Sequence, residues 1–169
     1  MTFIYVFTRY LTFPAVFIRC MWEQIICRIG KIAVEDSRYV KDDEMCSHIE
    51  HELIKSRTLS VLIGVMPLLS AISGVLAFAI FPYVFRPTSL MGTIFSGLSV
   101  WFVISFASNC FPSIEDVLNM KERIYKESHM VFRVILAPVF AVLYVGAYLE
   151  RYCITFIAAV ALSCFAFLV

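Results

Sequence analysis

Charged residues are scarce in this chain, and their scarcity excludes an ordinary soluble domain. Only 16% of the 169 residues are charged, whereas a soluble domain carries about 25%. Hydrophobic residues make up 61%, well above the roughly 45–50% that is usual in soluble domains. A chain with so little polar surface is typical of an integral membrane protein.

Several other sequence features are absent, and each absence excludes a class of function. The net charge is +1 and no dense basic block occurs, which excludes nucleic acid as a partner. The sequence has no Gly-rich phosphate loop, and we predict no cofactor. Of the six cysteines, all but Cys46 lie in or beside apolar segments, which predicts reduced thiols rather than a disulfide framework.

Four apolar runs are long enough to cross a bilayer, since a spanning helix needs ~20 residues. They cover residues 58–84, 90–109, 130–149 and 152–169. The last two are separated only by Glu150 and Arg151, which predicts a tight helical hairpin.

The first segment, residues 2–29, has the length of a span but carries Arg9, Arg19 and Glu23 and is interrupted by Pro14. A charge at the centre of a membrane costs roughly 2.5–3.5 kcal/mol, so these residues need partners. Arg19 and Glu23 can pair at i,i+4 on one helix face. The segment either spans the membrane facing a polar interior or lies along its interface. We therefore predict an all-α polytopic membrane protein, a single membrane domain over residues 1–169 with four or five transmembrane helices.

Basic residues set the predicted orientation. Two polar stretches, residues 28–57 and 111–133, hold ten of the 14 Lys and Arg. Two spans separate these stretches, so they share one side of the membrane, and the positive-inside rule makes that side cytoplasmic. The predicted location is the cell or plasma membrane with the C-terminus cytoplasmic and with Glu150 on the opposite side.

Two polar motifs could carry chemistry. The first motif contains residue types that bind metals: Cys46, His48, His51 and Glu52. Their spacing matches neither the HExxH nor the HxxEH zinc-binding helix, so they are weak candidates and we predict no metal. In the second motif, Ser113 is followed three residues later by Asp116, which predicts a capped helix running to about residue 128.

Four segments, in order, resemble a family of small membrane-embedded metalloprotease-like proteins, distantly related to site-2 proteases. The run from Thr12 to Cys27, TFPAVFIRCMWEQIIC, is similar to an opening helix of the approximate form TFPGVxxHExxHxxxC. The similarity continues through residues 49–52, 64–70 and 105–116, and the whole resemblance covers about residues 10–125.

The departures from the family pattern lie at its catalytic positions. The resemblance implies two zinc-binding histidines and a catalytic glutamate where this chain has Arg19, Cys20 and Glu23. A further family histidine corresponds to Asn109, and Asp116 keeps a likely ligand position of the family. Arginine cannot bind zinc, because its guanidinium has no free lone pair. The resemblance thus implies a scaffold without its active site.

The leading hypothesis is a non-catalytic anchor, sensor or scaffold subunit of a membrane complex. Its partners would be the lipid bilayer and, on the cytoplasmic face, other copies of the chain or a soluble protein. A polar intramembrane cluster is predicted from four residues, with the Arg19 guanidinium replacing the metal and pairing with a carboxylate: Arg19, Glu23, Asn109 and Asp116. The residues predicted to dock a partner are Lys41, Asp42, Asp43, Lys121 and Arg123.

Two other functions are open at this point. One is a homo-oligomeric pore or membrane-disrupting effector, in which Arg19 or Glu23 lines an aqueous lumen. The other is an active metalloprotease with an unusual site made from Cys20, Glu23, His51 and Asp116.

Overall fold

The computed structural model of the protein describes residues 2–38, 48–80, 89–127 and 129–168. Helices account for 81% of these residues, which confirms the predicted all-α class. The described elements are α1 (Thr2–Leu11), α2 (Phe13–Ile29), β1 (Val34–Arg38), β2 (His48–His51), α3 (Arg57–Ala79), α4 (Leu90–Ser108), α5 (Ile114–Glu127), α6 (Met130–Arg151) and α7 (Ile154–Leu168).

Three helices, α3, α4 and α6, are long and apolar enough to cross a membrane. The pair α1 and α2 adds a fourth if the two helices count as one broken span. α7 has 15 residues, fewer than the ~20 that a bilayer core requires. The described residues are therefore consistent with a polytopic membrane protein of three or four spans, rather than the four or five predicted. The end of the predicted span over residues 58–84 lies outside the described residues.

The first predicted span, residues 2–29, is not one continuous helix. α1 and α2 meet at Thr12 with a bend of 89°. Pro14 lies in the first turn of α2, where its missing N–H removes no helical hydrogen bond. Thr12 Oγ1 donates to the carbonyl of Thr8 at 2.8 Å, at the end of α1. The two halves of this segment therefore run in different directions.

α3 and α4 pack closely through a glycine and three aromatic rings. Gly74 of α3 lies directly against the Phe106 ring of α4, so a Cβ at this position would overlap the ring. The rings of Phe78 and Phe102 stack with their centroids 4.4 Å apart. α7 also packs on α4, which leaves α4 in contact with two of the apolar helices.

α5 runs antiparallel to α6 and shares a core with it. Gly146 of α6 lies against the ring of Phe111, just before α5 begins. Near the other end of α5, Tyr125 packs edge-on against Phe140 with the centroids 5.5 Å apart. The buried side chains of this interface are Val117, Met120, Ile124, Phe140 and Leu143.

This packing corrects one point of the predicted topology. The sequence predicts that the polar stretch 111–133 and Glu150 lie on opposite sides of the membrane, separated by the span that forms α6. In the structure, the N–H of Phe111 donates to Glu150 Oε2 at 2.9 Å. The two segments meet because α5 folds back along α6, which brings the beginning of the polar stretch to the far end of that helix.

An antiparallel hairpin of β1 and β2 forms within the other polar stretch, residues 28–57. Its register pairs Val34 with His51. Ile49 in β2 and Ile54 just after it are each 2% exposed, and Ile54 packs in a hydrophobic cluster with residues of α2 and α3. The sequence does not predict this hairpin, since two short polar strands lack the alternation that marks a longer strand.

Candidate functional site

A buried cluster of charged and polar side chains lies where the α1–α2 bend, the end of α4 and the end of α6 meet. Arg19 and Glu23, one turn apart on α2, are 4% and 1% exposed and pair at 3.2 Å between Nε and Oε1. Asn109, which follows the last residue of α4, is also buried. The structure thus brings together three of the four residues predicted for the polar cluster, although their function stays a prediction.

Glu150, at the end of α6, is the carboxylate at the centre of this cluster. Its Oε1 accepts from Arg9 Nη2 at 2.7 Å and from Arg19 Nη1 at 2.8 Å. The sequence does not predict this role, because Glu150 follows an apolar run and resembles the first residue of a loop. One feature of the sequence could have indicated this role. The apolar first segment has more arginines than carboxylates, so a carboxylate from elsewhere in the chain must pair with the extra arginine. We call Arg9, Arg19, Glu23 and Glu150 the ion-pair cluster.

Asn109 joins the end of α4 to the α1–α2 bend. Its Nδ2 donates to Thr12 Oγ1 at 3.0 Å, and its Oδ1 accepts from Arg9 Nη1. Ser105 Oγ donates to the carbonyl of Thr12 at 2.8 Å and accepts from the N–H of Ala15 at 3.2 Å. Side chains at the end of α4 therefore bond backbone groups at the bend, including the Ala15 N–H, which lies in the first turn of α2 where helical N–H groups have no intrahelical acceptor.

Charge is balanced in the ion-pair cluster, and little space is left beside it. Two guanidinium groups face two carboxylates, so each buried charge has a partner of opposite sign, as burial requires. The cavity next to Arg9, Asn109 and Glu150 has a volume of about 10 Å³, which holds about one water molecule at most. The geometry is that of a packed structural contact between helices.

Asp116, the fourth predicted member, lies at the start of α5 and pairs with His51. Ser113 Oγ donates to Asp116 Oδ2 at 2.6 Å and accepts from the Asp116 N–H at 3.0 Å, which confirms the predicted helix cap. Asp116 Oδ1 lies 3.4 Å from His51 Nε2. Hydrogen bonding to Asp116 raises the pKa of His51 to about 9, so the imidazole is protonated at neutral pH.

The four residues of the unusual protease site all lie in the described part of the chain, and that function stays a prediction. There, no three or more His, Cys, Asp or Glu side chains form a group that could hold a metal ion. Cys20 is buried, Glu23 pairs with Arg19, and His51 pairs with Asp116.

The weaker metal candidates lie around β2. Cys46 and the side chain of His48 fall outside the described part of the molecule. Glu52 is exposed, and its backbone N–H donates to the carbonyl of Ala33 at 3.1 Å as the hairpin ends. Their proposed role in metal binding stays a prediction.

Two of the five predicted docking residues lie in the described structure, both on α5. Lys121 is exposed, with its Nζ 5.8 Å from the centroid of the Tyr125 ring. Arg123 is half-buried, and its Nε has no hydrogen-bond partner among the described residues. Lys41, Asp42 and Asp43 lie outside them.

No protein-family model, curated protein or solved structure matches this chain. The resemblance to membrane-embedded metalloproteases therefore stays a prediction that rests on the four sequence motifs.

Proposed function

We propose that this protein is a non-catalytic scaffold subunit of a membrane complex, built on helices that resemble those of a membrane-embedded metalloprotease. The proposal rests on the ion pairs of Arg19, the residue that aligns with a zinc-binding histidine in the family that this chain resembles. Arg19 pairs with Glu23 and with Glu150. A guanidinium stays protonated and offers no lone pair to a metal, so this site joins helices instead of activating water.

The burial of the ion-pair cluster supports a scaffold more than a pore. Charged side chains that select ions must line a water-filled path. Arg19, Glu23 and Glu150 are instead 4%, 1% and 5% exposed, and the adjacent cavity is only about 10 Å³ in volume. A pore would therefore require the cluster to open, at the cost of separating buried charges.

The distribution of basic residues supports a cytoplasmic position for one end of the molecule. At this end Gly30, just after α2, packs against Leu59 near the start of α3. Four exposed cations lie in the adjoining chain: Arg28, Lys31, Lys55 and Arg57. Such an excess is typical of the cytoplasmic side. We propose the plasma membrane with this end cytoplasmic. A cytoplasmic C-terminus, as predicted above, requires in addition that the 15-residue α7 returns across the membrane, and a C-terminal reporter fusion tests that part of the proposal separately.

The scaffold function can be tested by cross-linking in cells and then purifying the full-length chain from membranes. We expect one partner to co-purify with the wild type at fixed stoichiometry and to be lost from the double variant K121Q/R123Q, which removes two cations from α5. K126Q removes an exposed cation from the same helix and serves as the matched control. Retention of the partner by K121Q/R123Q would contradict docking at these residues.

Planar-bilayer recordings distinguish the scaffold from the pore. Purified wild-type protein in a bilayer should give no stepwise conductance, because the buried charges are paired. Stepwise conductance whose ion selectivity changes in Arg19→Gln would contradict the scaffold and support the pore.

A further inference from the structure

The four exposed cations at the end of α2 and the start of α3 lie on two segments that the fold places side by side. Cys27 of α2 and Ile54, just before α3, belong to one buried hydrophobic cluster. Gly30, which follows α2, lies against Leu59 in the first turn of α3. We call the four cations the basic patch: Arg28, Lys31, Lys55 and Arg57.

The basic patch has no ion-pair partner among the described residues. None of its members is part of an ion pair there. Its two segments, residues 28–33 and 53–57, contain no carboxylate. The nearest carboxylates along the chain are those of Glu35 and Glu52, in the hairpin and at its end. An anion is therefore the group that this patch attracts.

Lys31 occupies a backbone position that favours glycine. It follows α2 in a Schellman turn, in which its N–H donates to the carbonyl of Arg28 at 3.2 Å and the Ile32 N–H donates to the carbonyl of Cys27 at 2.8 Å. The φ of Lys31 is 52°, in the left-handed region where a Cβ is unfavourable. Strained residues of this kind often lie at functional sites, and the functional group here is the ammonium.

Exposed apolar side chains lie next to the basic patch. Ile29 is 75% exposed, and Trp22, two helical turns earlier on the same face of α2, is 36% exposed. Arg57 is the first residue of α3, which is long and apolar enough to cross a membrane. In a membrane the basic patch would therefore lie at the depth of the lipid headgroups, where tryptophans and cations are both common.

Two kinds of anion can be compared, an acidic segment of a soluble protein and a phospholipid headgroup. A protein segment would bind the patch in water, which would leave Ile29 in water as well. A headgroup adjoins hydrocarbon, so a lipid matches the cations and the apolar side chain at once. Anionic lipids of the cytoplasmic leaflet attract basic residues that adjoin a membrane span.

We propose that the basic patch binds the headgroups of anionic phospholipids in the adjacent leaflet. Its cations contact the headgroup phosphates, and Ile29 lies along the upper part of the acyl chains. The bound lipids fix the depth of the α2–α3 end in the membrane. The inference rests on the proposed function for the orientation of this end, whereas the preference for anionic lipid is a property of the chain alone.

Lipid binding to the purified full-length chain tests the patch. The probes are dioleoyl-phosphatidylglycerol, which is anionic, and dioleoyl-phosphatidylcholine, which has the same acyl chains and no net charge. Each is titrated in uncharged detergent, and native mass spectrometry counts the lipids bound per chain. We expect phosphatidylglycerol to bind at least about tenfold more tightly. This preference should decrease as the salt concentration rises, because salt screens exposed charges.

Three variants locate the binding. Arg28→Gln should weaken the binding of phosphatidylglycerol about three- to fivefold, the order expected for one cation at an anionic surface. Arg151→Gln makes the same substitution at an exposed arginine at the end of α6 and should have no effect. Lys31→Gly should weaken binding as much as Arg28→Gln does. Without lipid it should unfold at the same or a higher denaturant concentration than the wild type, because glycine favours a left-handed backbone.

Two results of these titrations would overturn the proposal. One is equal binding of the two lipids by the wild type. The other is equal weakening by Arg28→Gln and Arg151→Gln, which would show that any exposed arginine attracts the lipid. A folded Lys31→Gly variant that binds phosphatidylglycerol as tightly as the wild type would likewise contradict the part assigned to Lys31.

Three other occupants are distinguished in the same experiment. If inorganic phosphate at equal concentration displaced the lipid, the patch would be a site for free phosphate. If acetyl-hexaglutamate-amide bound more tightly than the lipid and displaced it, the patch would dock an acidic protein. If the lipid bound the variant D42N/D43N but not the wild type, carboxylates of this chain would occupy the patch. Each of these results overturns the proposal.

The lipid site and the scaffold can fail separately. If phosphatidylglycerol is preferred but no partner co-purifies from membranes, the proposed function fails and the lipid site stands. If a partner co-purifies with the wild type but the two lipids bind equally, the scaffold stands and the lipid site fails.

Discussion

Glu150 accepts hydrogen bonds from more donors than any other carboxylate described above, and its negative charge offsets two buried arginines. It accepts from two arginines on one oxygen and from the Phe111 N–H on the other. Each of these partners comes from a different part of the chain, so one side chain connects α1, α2, the start of α5 and α6. Its removal would leave the arginines buried with only Glu23 to offset them.

Glu150→Gln should therefore be strongly destabilising. We expect the free energy of unfolding in detergent to fall by about 3–5 kcal/mol, the usual cost of removing one partner from a buried ion pair. Denaturant unfolding followed by circular dichroism measures this change. Arg151→Gln alters the exposed neighbouring residue and is the control; equal stability of the two variants would show that the cluster is not stabilising.

The double variant R9M/E150Q tests whether charge balance is the cause. It leaves Arg19 paired with Glu23, one charge of each sign. We expect it to be more stable than Glu150→Gln alone, because no unpaired guanidinium stays buried. Additive losses from the two substitutions, seen in the same unfolding experiment, would contradict this explanation.

The ion pair of His51 and Asp116 should make stability depend on pH. The pKa of His51 is raised to about 9 in the folded protein, from about 6.5 in an unfolded chain. A raised pKa means that the stabilisation is complete below about pH 6.5 and is lost as pH rises toward 9. Unfolding measured from pH 6 to 10 should show this loss in the wild type and in the control His129→Gln, but not in His51→Gln.

At the scale of elements, the contact of α5 with α6 determines where the polar cluster forms. Gly146 allows the Phe111 ring to lie against the backbone of α6, which brings the Phe111 N–H to Glu150. A larger residue at position 146 would push the start of α5 away from this helix. The glycine thus couples helix packing to the hydrogen bonding of Glu150.

Gly146→Ala should lower the free energy of unfolding by about 1–3 kcal/mol, the usual cost of overpacking. Gly97→Ala is the matched control, since a Cβ on Gly97 of α4 would meet no atom within 4 Å. The control should be neutral or slightly more stable, because alanine favours helix by up to about 1 kcal/mol over glycine. The variant F111A/G146A should recover part of the loss; if it loses more, the clash with Phe111 is not the cause.

At the scale of the whole molecule, the outer surface is apolar where a soluble protein would be polar. Along α6, Met130, Val134 and Val142 are 80%, 67% and 64% exposed. Extended exposed apolar surfaces mark contact with a membrane or a partner. Together with the length of α3, α4 and α6, this surface is consistent with an integral membrane protein.

Val142→Lys places a charge on the exposed apolar face of α6. If this face contacts lipid, insertion of the segment should become less favourable by about 2.5–3.5 kcal/mol. A glycosylation-based insertion assay on the full-length chain measures the effect, with Val142→Leu as the control. Equal insertion of the two variants would show that this face does not lie in the hydrocarbon core.

The sequence by itself determined the features that depend on local composition. The apolar runs predicted α3, α4 and α6, because a helix that is hydrophobic over about 20 residues needs no distant partner to form in a membrane. The spacing of Ser113 and Asp116 predicted the start of α5 for the same local reason. The pairing of Arg19 with Glu23 followed from their separation of one helical turn.

Only the tertiary structure decided the features that join distant parts of the chain. The Arg9–Glu150 pair spans 141 positions, and no periodicity in the sequence connects them. The fold-back of α5 and the hairpin packed on α2 likewise depend on contacts between elements. Membrane insertion of a helix depends on the hydrophobicity of its own segment, whereas the partners of buried charges depend on how the helices pack.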